Sequence, residues 1–191
     1  LPANRKPVKT AIRFDEDRES VLDFVREEVA AGNQAYIVFP LVSESEKLDL
    51  KAATEEYELL RTAVFPDLRL GLLHGRMKAE EKDAIMMAFK KRQLDILVST
   101  TVIEVGVDVP DATVMVIEHA ERFGLAQLHQ LRGRVGRSDK QAYCILMTSK
   151  RMYYAGKART SEEQKETSDL RRRLDTMRDS TDGFRIAEVD M

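Results

Sequence analysis

Apolar runs of strand length alternate with longer segments of helical period from about residue 8 to residue 148. Six runs are predicted strands: 8–14, 35–42, 69–73, 95–98, 113–117 and 141–147. Three of the intervening segments carry apolar residues at helical spacing: 18–31, 48–64 and 79–91. This succession predicts an α/β fold whose parallel sheet has helices on both faces. In such a sheet, functional loops are expected to follow the carboxyl ends of the strands.

The character of the sequence changes after Ser149. Residues 150–191 are polar and charge-dense, with a short strand expected only at 184–189. Three apolar residues keep a helical spacing there: Leu170, Leu174 and Met177. We therefore predict a sheet domain over residues 1–149 and a helical appendage over residues 150–191 that leaves the sheet.

The composition excludes several classes of protein. The one cysteine, Cys144, lies in an apolar run where a small buried hydrophobe is expected, so a disulfide framework and a cysteine metal cluster are excluded. No apolar run is long enough to cross a bilayer and no signal-peptide pattern is present, so we expect a cytoplasmic protein without a membrane partner. The chain lacks an initiator methionine, and we interpret it as a piece of a longer protein.

The formal net charge of −2 gives no overall argument for binding nucleic acid. The charges are unevenly distributed, however, and arginines cluster around one segment: Arg122, Arg132, Arg134 and Arg137. A local basic face on a nearly neutral domain therefore remains open.

The segment 130–137 has the strongest chemical pattern. Arg134 and Arg137 are three residues apart, so on a helical turn their guanidinium groups would point to the same side. Gly133 and Gly136 leave space beside them for a ligand or another backbone. Two planar cations on one turn suit a polyphosphate. The alternative is a basic helix end whose arginines are solvated or pair with carboxylates.

A second pattern follows the predicted strand 95–98. Ser99, Thr100 and Thr101 place hydroxyl and N–H groups at a loop that enters a short helix, which suits a phosphate. Gly106 allows a sharp turn, and the carboxylate of Asp108 could accept a hydrogen bond from a sugar hydroxyl. The alternative is an ordinary helix N-cap followed by a turn.

A third pattern follows the predicted strand 69–73. Gly75 permits close approach of a ligand and Arg76 supplies a partner for a phosphate, although a surface turn with an incidental arginine would look the same. His74 is interpreted as a structural hydrogen-bonding residue. His119 and His129 have no partners that suggest a metal site or a nucleophilic triad.

The pattern Gln-x-x-Gly-Arg-x-Gly-Arg at 130–137 resembles motif VI of superfamily 2 helicases. The resemblance implies a RecA-like motor domain, the second of two that share an ATP site. It also implies that Arg137 is the arginine finger, that Arg134 is a second phosphate contact, and that Gln130 helps at the interface between the two motor domains.

The loop after the strand 95–98 resembles motif V of the same superfamily. This resemblance implies that Thr100 and Thr101, with the preceding Ser99, face a nucleic-acid phosphate. It places Gly106 and Asp108 on the nucleotide side, with Asp108 facing the ribose. The turn that contains Gly75 and Arg76 is similar to a segment that contacts the nucleic-acid backbone, and the apolar run 36–42 takes the place of motif IV without chemistry of its own.

Three further segments resemble the RecG family of DNA helicases more narrowly: 46–49, 121–129 and 182–191. Transcription-repair coupling factors share much of the motif VI block, but the segment 182–191 favours RecG because it resembles the stretch before that family's coupling hairpin. The resemblance implies an ATP-dependent translocase that acts on branched DNA in recombination and repair.

The sequence contains no phosphate-binding loop of the pattern Gly-x-x-x-x-Gly-Lys-Ser/Thr. We therefore expect ATP and Mg²⁺ to be held mainly by a preceding motor domain of the same polypeptide, and this chain alone to be inactive. A coupling-factor-like translocase, a non-catalytic module with a helicase-like fold that binds nucleic acid or a partner, and an RNA helicase remain open as alternatives.

Overall fold

Six parallel strands form one sheet in the computed structural model, which describes residues 6–41, 46–100, 108–154 and 161–180. The strands are β1 Lys9–Phe14, β2 Gln34–Val38, β3 Leu70–Leu73, β4 Ile96–Ser99, β5 Ala112–Ile117 and β6 Tyr143–Thr148. Their order across the sheet is β1-β6-β5-β2-β4-β3, and every neighbouring pair is parallel. The predicted α/β class and parallel sheet are confirmed.

Helices connect these strands and close the domain. They are α1 Arg18–Ala30, α2 Glu46–Leu59, α3 Ala79–Lys90, α4 Leu125–Arg132, α5 Lys150–Tyr153 and α6 Ser161–Asp179. A π turn, Leu60–Val64, continues α2, and two 3-10 turns cover Asp15–Asp17 and Ala120–Arg122. The second strand is shorter than predicted: it ends at Val38 because Pro40, which has no backbone N–H, cannot continue a central ladder.

The alternating side chains of β2 show how the two faces of the sheet are covered. Tyr36 and Val38 point into a core layer that also contains residues of α3, α4 and α6. Ala35 and Ile37 point into the opposite layer, which contains residues of α1 and the end of the α2 segment. All four side chains are buried, as expected for a strand with helices on both sides.

The helix α6 packs on the domain rather than leaving it. Leu174 and Met177 are 0% exposed and belong to the same core layer as α4, and Leu170 is buried beside them. The prediction that the appendage leaves the sheet is therefore wrong for residues 161–180. The physical reason is that burying the apolar stripe of a helix against an open sheet face lowers the free energy of the fold. The strand expected at 184–189 lies outside the described residues.

Two further expectations concern the single cysteine and the possibility of a membrane-spanning helix. Cys144 is fully buried in β6, and burial raises the pKa of its thiol to about 12, so it is the small core hydrophobe that was predicted. Within the described ranges, every helix is too short or too polar to span a bilayer.

Candidate functional site

The turn that follows α4 carries the two predicted phosphate-binding arginines. The helix ends at Arg132, Gly133 forms its C-cap, and Gly136 has a φ of +77°, a backbone conformation that glycine adopts with little strain. The prediction that Arg134 and Arg137 share a helical turn is therefore wrong. Because the two arginines do not lie on one helical turn, their side chains have different surroundings.

Arg134 is buried and Arg137 is exposed. Arg134 is only 6% exposed, and its Nε has no hydrogen-bond partner in the described part of the chain. Burial lowers the pKa of its guanidinium, and the nearby charge of Arg137 lowers it further. The Nε of Arg137 donates to the carbonyl oxygen of Gly133 at 3.0 Å. One guanidinium is thus fixed inside the fold and the other is held at the surface by a single hydrogen bond.

The arginine turn lies at the amino ends of the strands. A β-carbon on Gly136 would lie 2.7 Å from Val8, directly ahead of β1. A few residues later, the Nζ of Lys140 donates to Asn33 Oδ1 and Asp111 Oδ1, both at 2.8 Å, ahead of β2 and β5. The expectation that functional loops follow the carboxyl ends is therefore wrong for this turn, because α4 carries the chain back across the sheet before β6 begins.

Tyr36, in the middle of β2, has a pKa on which three of the predicted nucleotide-facing residues act. Burial raises the pKa of its phenol, the positive charges of Arg134 and Arg137 lower it, and the negative charge of Asp108 raises it. Asp108 lies four residues ahead of the first residue of β5, Ala112, and so belongs to the amino-end side of the sheet where the arginine turn lies. Gln130 is exposed on the last turn of α4.

Tyr36 itself was missed by sequence reasoning, which assigned no chemistry to the second strand. The available signal was a tyrosine in a strand, Gln34–Val38, whose side chains on both faces are buried. A tyrosine in such a place brings a hydroxyl group into the core, where it requires a partner or an opening to solvent. The charged residues that act on its pKa come from distant parts of the chain and are not visible in the local pattern.

The predicted nucleic-acid residues lie at the other end of the sheet, where β3 and β4 end side by side. Ser99 and Thr100 are buried, and the N–H of Thr100 donates to the carbonyl oxygen of Leu73 at 3.1 Å. Thr101 and Gly106 lie outside the described residues. The structure therefore describes two of the three predicted hydroxyl residues, Ser99 and Thr100, and both are buried rather than exposed at the surface.

The turn after β3 is more open. Gly75 and Arg76 are exposed, and the backbone N–H of Arg76 donates to Nδ1 of His74 at 3.3 Å. His74 thus has the structural hydrogen bond that was predicted. Because β3 pairs with β4, this turn lies at the same sheet edge as Thr100. The predicted site residues therefore form two groups, one at each end of the strands.

A buried ion pair at the carboxyl end of β5 was not predicted. Glu118 is 4% exposed, and its carboxylate accepts a hydrogen bond of 2.5 Å from Arg18. Burial raises the pKa of Glu118, and the charge and hydrogen bond of Arg18 lower it in part. In the described segments, no group of three or more His, Cys, Asp and Glu side chains is arranged to hold a metal ion.

Comparison with known proteins identifies the relatives of this chain. Residues 17–139 match the family described as the helicase conserved C-terminal domain. The whole chain is 52% identical to the ATP-dependent DNA helicase RecG of Synechocystis sp. and 54% identical to that of Aquifex aeolicus, and it covers 21% and 22% of those proteins. A solved structure of RecG bound to a three-way DNA junction matches with a TM-score of 0.68 and 47% identity, over 90% of this chain and 21% of that one. The chain thus spans about a fifth of the length of these relatives.

Proposed function

This chain belongs to the helicase conserved C-terminal domain family and is of the RecG type, and from that premise we propose that it is the second motor domain of an ATP-dependent DNA helicase. One observation carries the proposal: a buried arginine, Arg134, and an exposed arginine, Arg137, leave the same short turn at the amino ends of the strands. Two guanidinium groups on one turn, one buried and one exposed, suit a phosphate chain because each planar cation can donate hydrogen bonds to phosphate oxygens.

The nucleotide site proposed here is half of a shared site. Arg137 acts as the arginine finger and Arg134 as a second phosphate contact, and Gln130, Gly106 and Asp108 are assigned to the nucleotide as well. Apart from the carboxylate of Asp108, the polar groups of this set are cationic or neutral, which fits phosphate better than Mg²⁺. We propose that a preceding motor domain of the same polypeptide holds most of the ATP and the Mg²⁺. An arginine finger contributes about 10³–10⁵ in rate.

The opposite end of the sheet is the proposed nucleic-acid side. Gly75 and Arg76 contact the DNA backbone from the turn after β3. Three residues that start at the last position of β4 are assigned to the same contact: Ser99, Thr100 and Thr101. Branched or forked duplex DNA is the proposed substrate, in recombination and repair, which implies action in the cytoplasm where bacterial DNA lies. Nucleotide and DNA would thus bind at opposite ends of the same strands, which allows one rigid sheet to couple them.

The proposed division of the chain keeps residues 1–149 as the motor domain and residues 150–191 as the appendage that leads toward a coupling hairpin. The packing of α6 against the face that also holds α4 supports a mechanical link between the two. Arg132, one residue before the arginine turn begins, donates to the backbone at the end of α6.

The function is tested in the full-length protein with Arg137→Ala. We expect DNA-stimulated ATP hydrolysis and junction unwinding to fall by about 10³ or more, while junction binding persists, because the finger acts on the transition state. Arg151→Ala, which removes an exposed arginine from α5, is the control and should retain activity. Unchanged unwinding by Arg137→Ala would overturn the assignment.

Two further measurements separate the alternatives. The 191-residue chain alone should show no DNA-stimulated ATP hydrolysis, and robust turnover would contradict a shared site. Stimulation of the full-length enzyme by branched DNA but not by RNA distinguishes a DNA motor from an RNA helicase.

A further inference from the structure

We propose that Tyr154 binds single-stranded DNA by stacking its ring on an unpaired base. Its ring is held by two other aromatic rings, and we call the three together the aromatic platform: Phe14, Tyr153 and Tyr154. The proposal rests on the proposed function because it takes branched DNA as the substrate. It adds the part of that substrate which this surface contacts.

Tyr154 lies at the end of the short helix α5, which begins just after β6. The hydroxyl oxygen of Ser149 accepts a hydrogen bond from the N–H of Met152 at 3.1 Å, and the N–H of Tyr154 donates to the carbonyl oxygen of Lys150 at 2.8 Å. These bonds fix the backbone around two successive tyrosines. Tyr153 is 5% exposed and belongs to the core, whereas Tyr154 is 56% exposed. The fold therefore buries one ring and holds the next at the surface.

The Tyr154 ring is in contact with its neighbours although much of the residue is open to solvent. Its centroid lies 5.5 Å from that of Phe14 and 4.9 Å from that of Tyr153, at interplanar angles of 42° and 86°. The guanidinium carbon of Arg171, on α6, lies 5.4 Å from the Tyr154 centroid and 4.9 Å from the Tyr153 centroid. These contacts restrict the ring before any ligand binds, so less side-chain entropy remains to be lost on binding.

An exposed aromatic ring beside a guanidinium is typical of surfaces that bind unpaired bases. Every base has a π-face, so stacking on an aromatic side chain tolerates any sequence, and a neighbouring arginine adds a further attraction. Arg171 pairs with Asp175 at 3.7 Å, and both side chains are partly exposed, so a phosphate can compete for the guanidinium. The Tyr153 hydroxyl donates to Asp175, which makes Tyr153 the anchor of the platform. Tyr154 is the exposed ring and is the one that can receive a base.

The aromatic platform lies at the same end of the sheet as the proposed DNA-backbone contacts. Phe14 and Thr148 are partners at the carboxyl ends of β1 and β6. The edge strands are β1 and β3, and six strands spaced about 4.8 Å apart put these two about 24 Å from each other. That distance corresponds to about seven base pairs of duplex. One branched DNA can therefore contact Arg76 with a duplex arm and Tyr154 with an unpaired base near the branch point.

The test is Tyr154→Leu in the full-length protein, with the Kd measured for single-stranded DNA, for a fork with a single-stranded arm and for a fully paired duplex. Leucine keeps an apolar side chain but has no π-face, so we expect binding of the single strand and of the fork to weaken about tenfold. Binding of the duplex should stay within twofold of the parent, because its bases are already stacked on each other. Tyr154→Phe keeps a ring and should bind all three DNAs like the parent.

Stacking itself is measured with 2-aminopurine in the single-stranded arm of the fork. Its fluorescence should be quenched on binding the parent and Tyr154→Phe, and less so on binding Tyr154→Leu. Met87→Ala, which removes another exposed apolar side chain, from α3, is the control and should leave the quenching and all three affinities unchanged. The Tm of each variant is compared with that of the parent.

Three results would overturn the stacking role: unchanged binding of the single strand and the fork by Tyr154→Leu, an equal loss on all three DNAs, or a loss that only follows a lower Tm. Failure of the proposed function looks different. If the parent unwinds the fork and Tyr154→Leu binds it equally well, only the stacking role fails. If the parent neither binds the fork nor hydrolyses ATP in its presence, the proposed function itself fails.

Discussion

Gly136 lies so close to Val8 that a β-carbon on the glycine would stand 2.7 Å from the Val8 Cγ2 atom. Real β-carbons do not approach other atoms so closely, so the contact locks the arginine turn against the chain that enters β1. The φ of +77° at Gly136 adds a second restriction, since side-chain-bearing residues are strained there. One glycine therefore fixes both the path of the turn and the direction in which Arg137 leaves it.

Gly136→Ala is expected to destabilise the chain by about 1–3 kcal/mol, from the combined backbone strain and steric overlap. It should also lower DNA-stimulated ATP hydrolysis in the full-length protein, because Arg137 is the next residue. Urea unfolding measures the first effect and steady-state turnover the second. Val8→Ala in the same chain should recover part of the stability by removing the overlap, but not the strain at φ.

Gly124→Ala is the control for this prediction. Gly124 has a negative φ, and the nearest atom to an added β-carbon is Gln127 Oε1 at 3.8 Å, an ordinary contact. Because Gly124 is the N-cap of α4, where alanine is less favourable than glycine, the free energy of unfolding of this variant should fall by no more than about 1 kcal/mol. If the two alanine variants are equally stable, the close approach between Gly136 and Val8 has no energetic weight.

Substitutions of Arg134 and Arg137 are expected to differ in their effect on stability but not in their effect on ATP hydrolysis. Arg134→Met replaces a buried, unpaired guanidinium by an apolar side chain of similar length, so the free energy of unfolding should stay the same or rise by up to about 3 kcal/mol. Arg137→Met changes an exposed residue and should alter stability by less than about 0.5 kcal/mol. Both substitutions should reduce turnover of the full-length protein by about 100-fold or more.

Chemical denaturation of the two variants, together with ATPase assays, checks this contrast. A marked loss of stability in Arg134→Met would show that the buried guanidinium is stabilised by contacts beyond those described. Tolerance of either substitution in the ATPase assay would argue that the corresponding arginine does not face phosphate.

The pH dependence of stability should report on Glu118. Burial holds its pKa above the usual 4.5, so the folded chain binds this proton more tightly than the unfolded chain does. The contribution of Glu118 to stability is therefore present below pH 4.5 and is lost as pH rises from there through the folded pKa. Asp95 and Asp111 have lowered pKa values, so their contribution to stability is present above pH 3.8 and is lost as pH falls below it.

Glu118→Gln removes this one titration and leaves the others in place. The free energy of unfolding of the variant, relative to that of the parent, should therefore increase as pH rises above 4.5. Urea unfolding of both proteins at intervals from pH 4 to pH 8 measures the difference. A difference that stays constant over this range would show that Glu118 has an ordinary pKa in the folded state.

Much of the fold could be predicted from the sequence because it depends on local periodicity. The apolar run over β5 and the helical stripe of α3 lie within a residue or two of their predicted bounds. The path of the arginine turn could not be predicted in this way. Gly-Arg spacing is compatible with a helix, whereas in the fold the turn has left the helix and Gly136 packs against Val8, 128 residues away in the chain.

The candidate site shows the same division. The two arginines proposed to face phosphate, Arg134 and Arg137, were evident from their pattern. The burial of the first and the exposure of the second depend on tertiary packing. The docking of α6 was missed because a polar, charge-dense helix gives no sign of which sheet face its few apolar residues will cover.

Arg132 joins α4 to the end of α6. One of its guanidinium nitrogens, Nη1, donates to the carbonyl oxygens of Met177 at 2.8 Å and Ser180 at 2.5 Å, and to Thr10 Oγ1 at 3.3 Å. The last carbonyl groups of a helix have no partners within the helix, so a cation at this position satisfies them and interacts well with the helix dipole. The side chain of Arg132 thus caps α6 from outside.

Arg132→Ala is expected to weaken the last turns of α6 by about 1.5–3 kcal/mol, the usual range for hydrogen bonds to a charged group. Hydrogen–deuterium exchange should show faster exchange over the second half of α6, while amides in the central strands β2 and β5 keep their protection because the sheet is unchanged. Arg172→Ala, which removes an exposed arginine from α6 itself, should leave the pattern as in the parent. If Arg132→Ala exchanges like the parent, then the buried Leu174 and Met177 alone hold the helix in place, and Arg132 is not its cap.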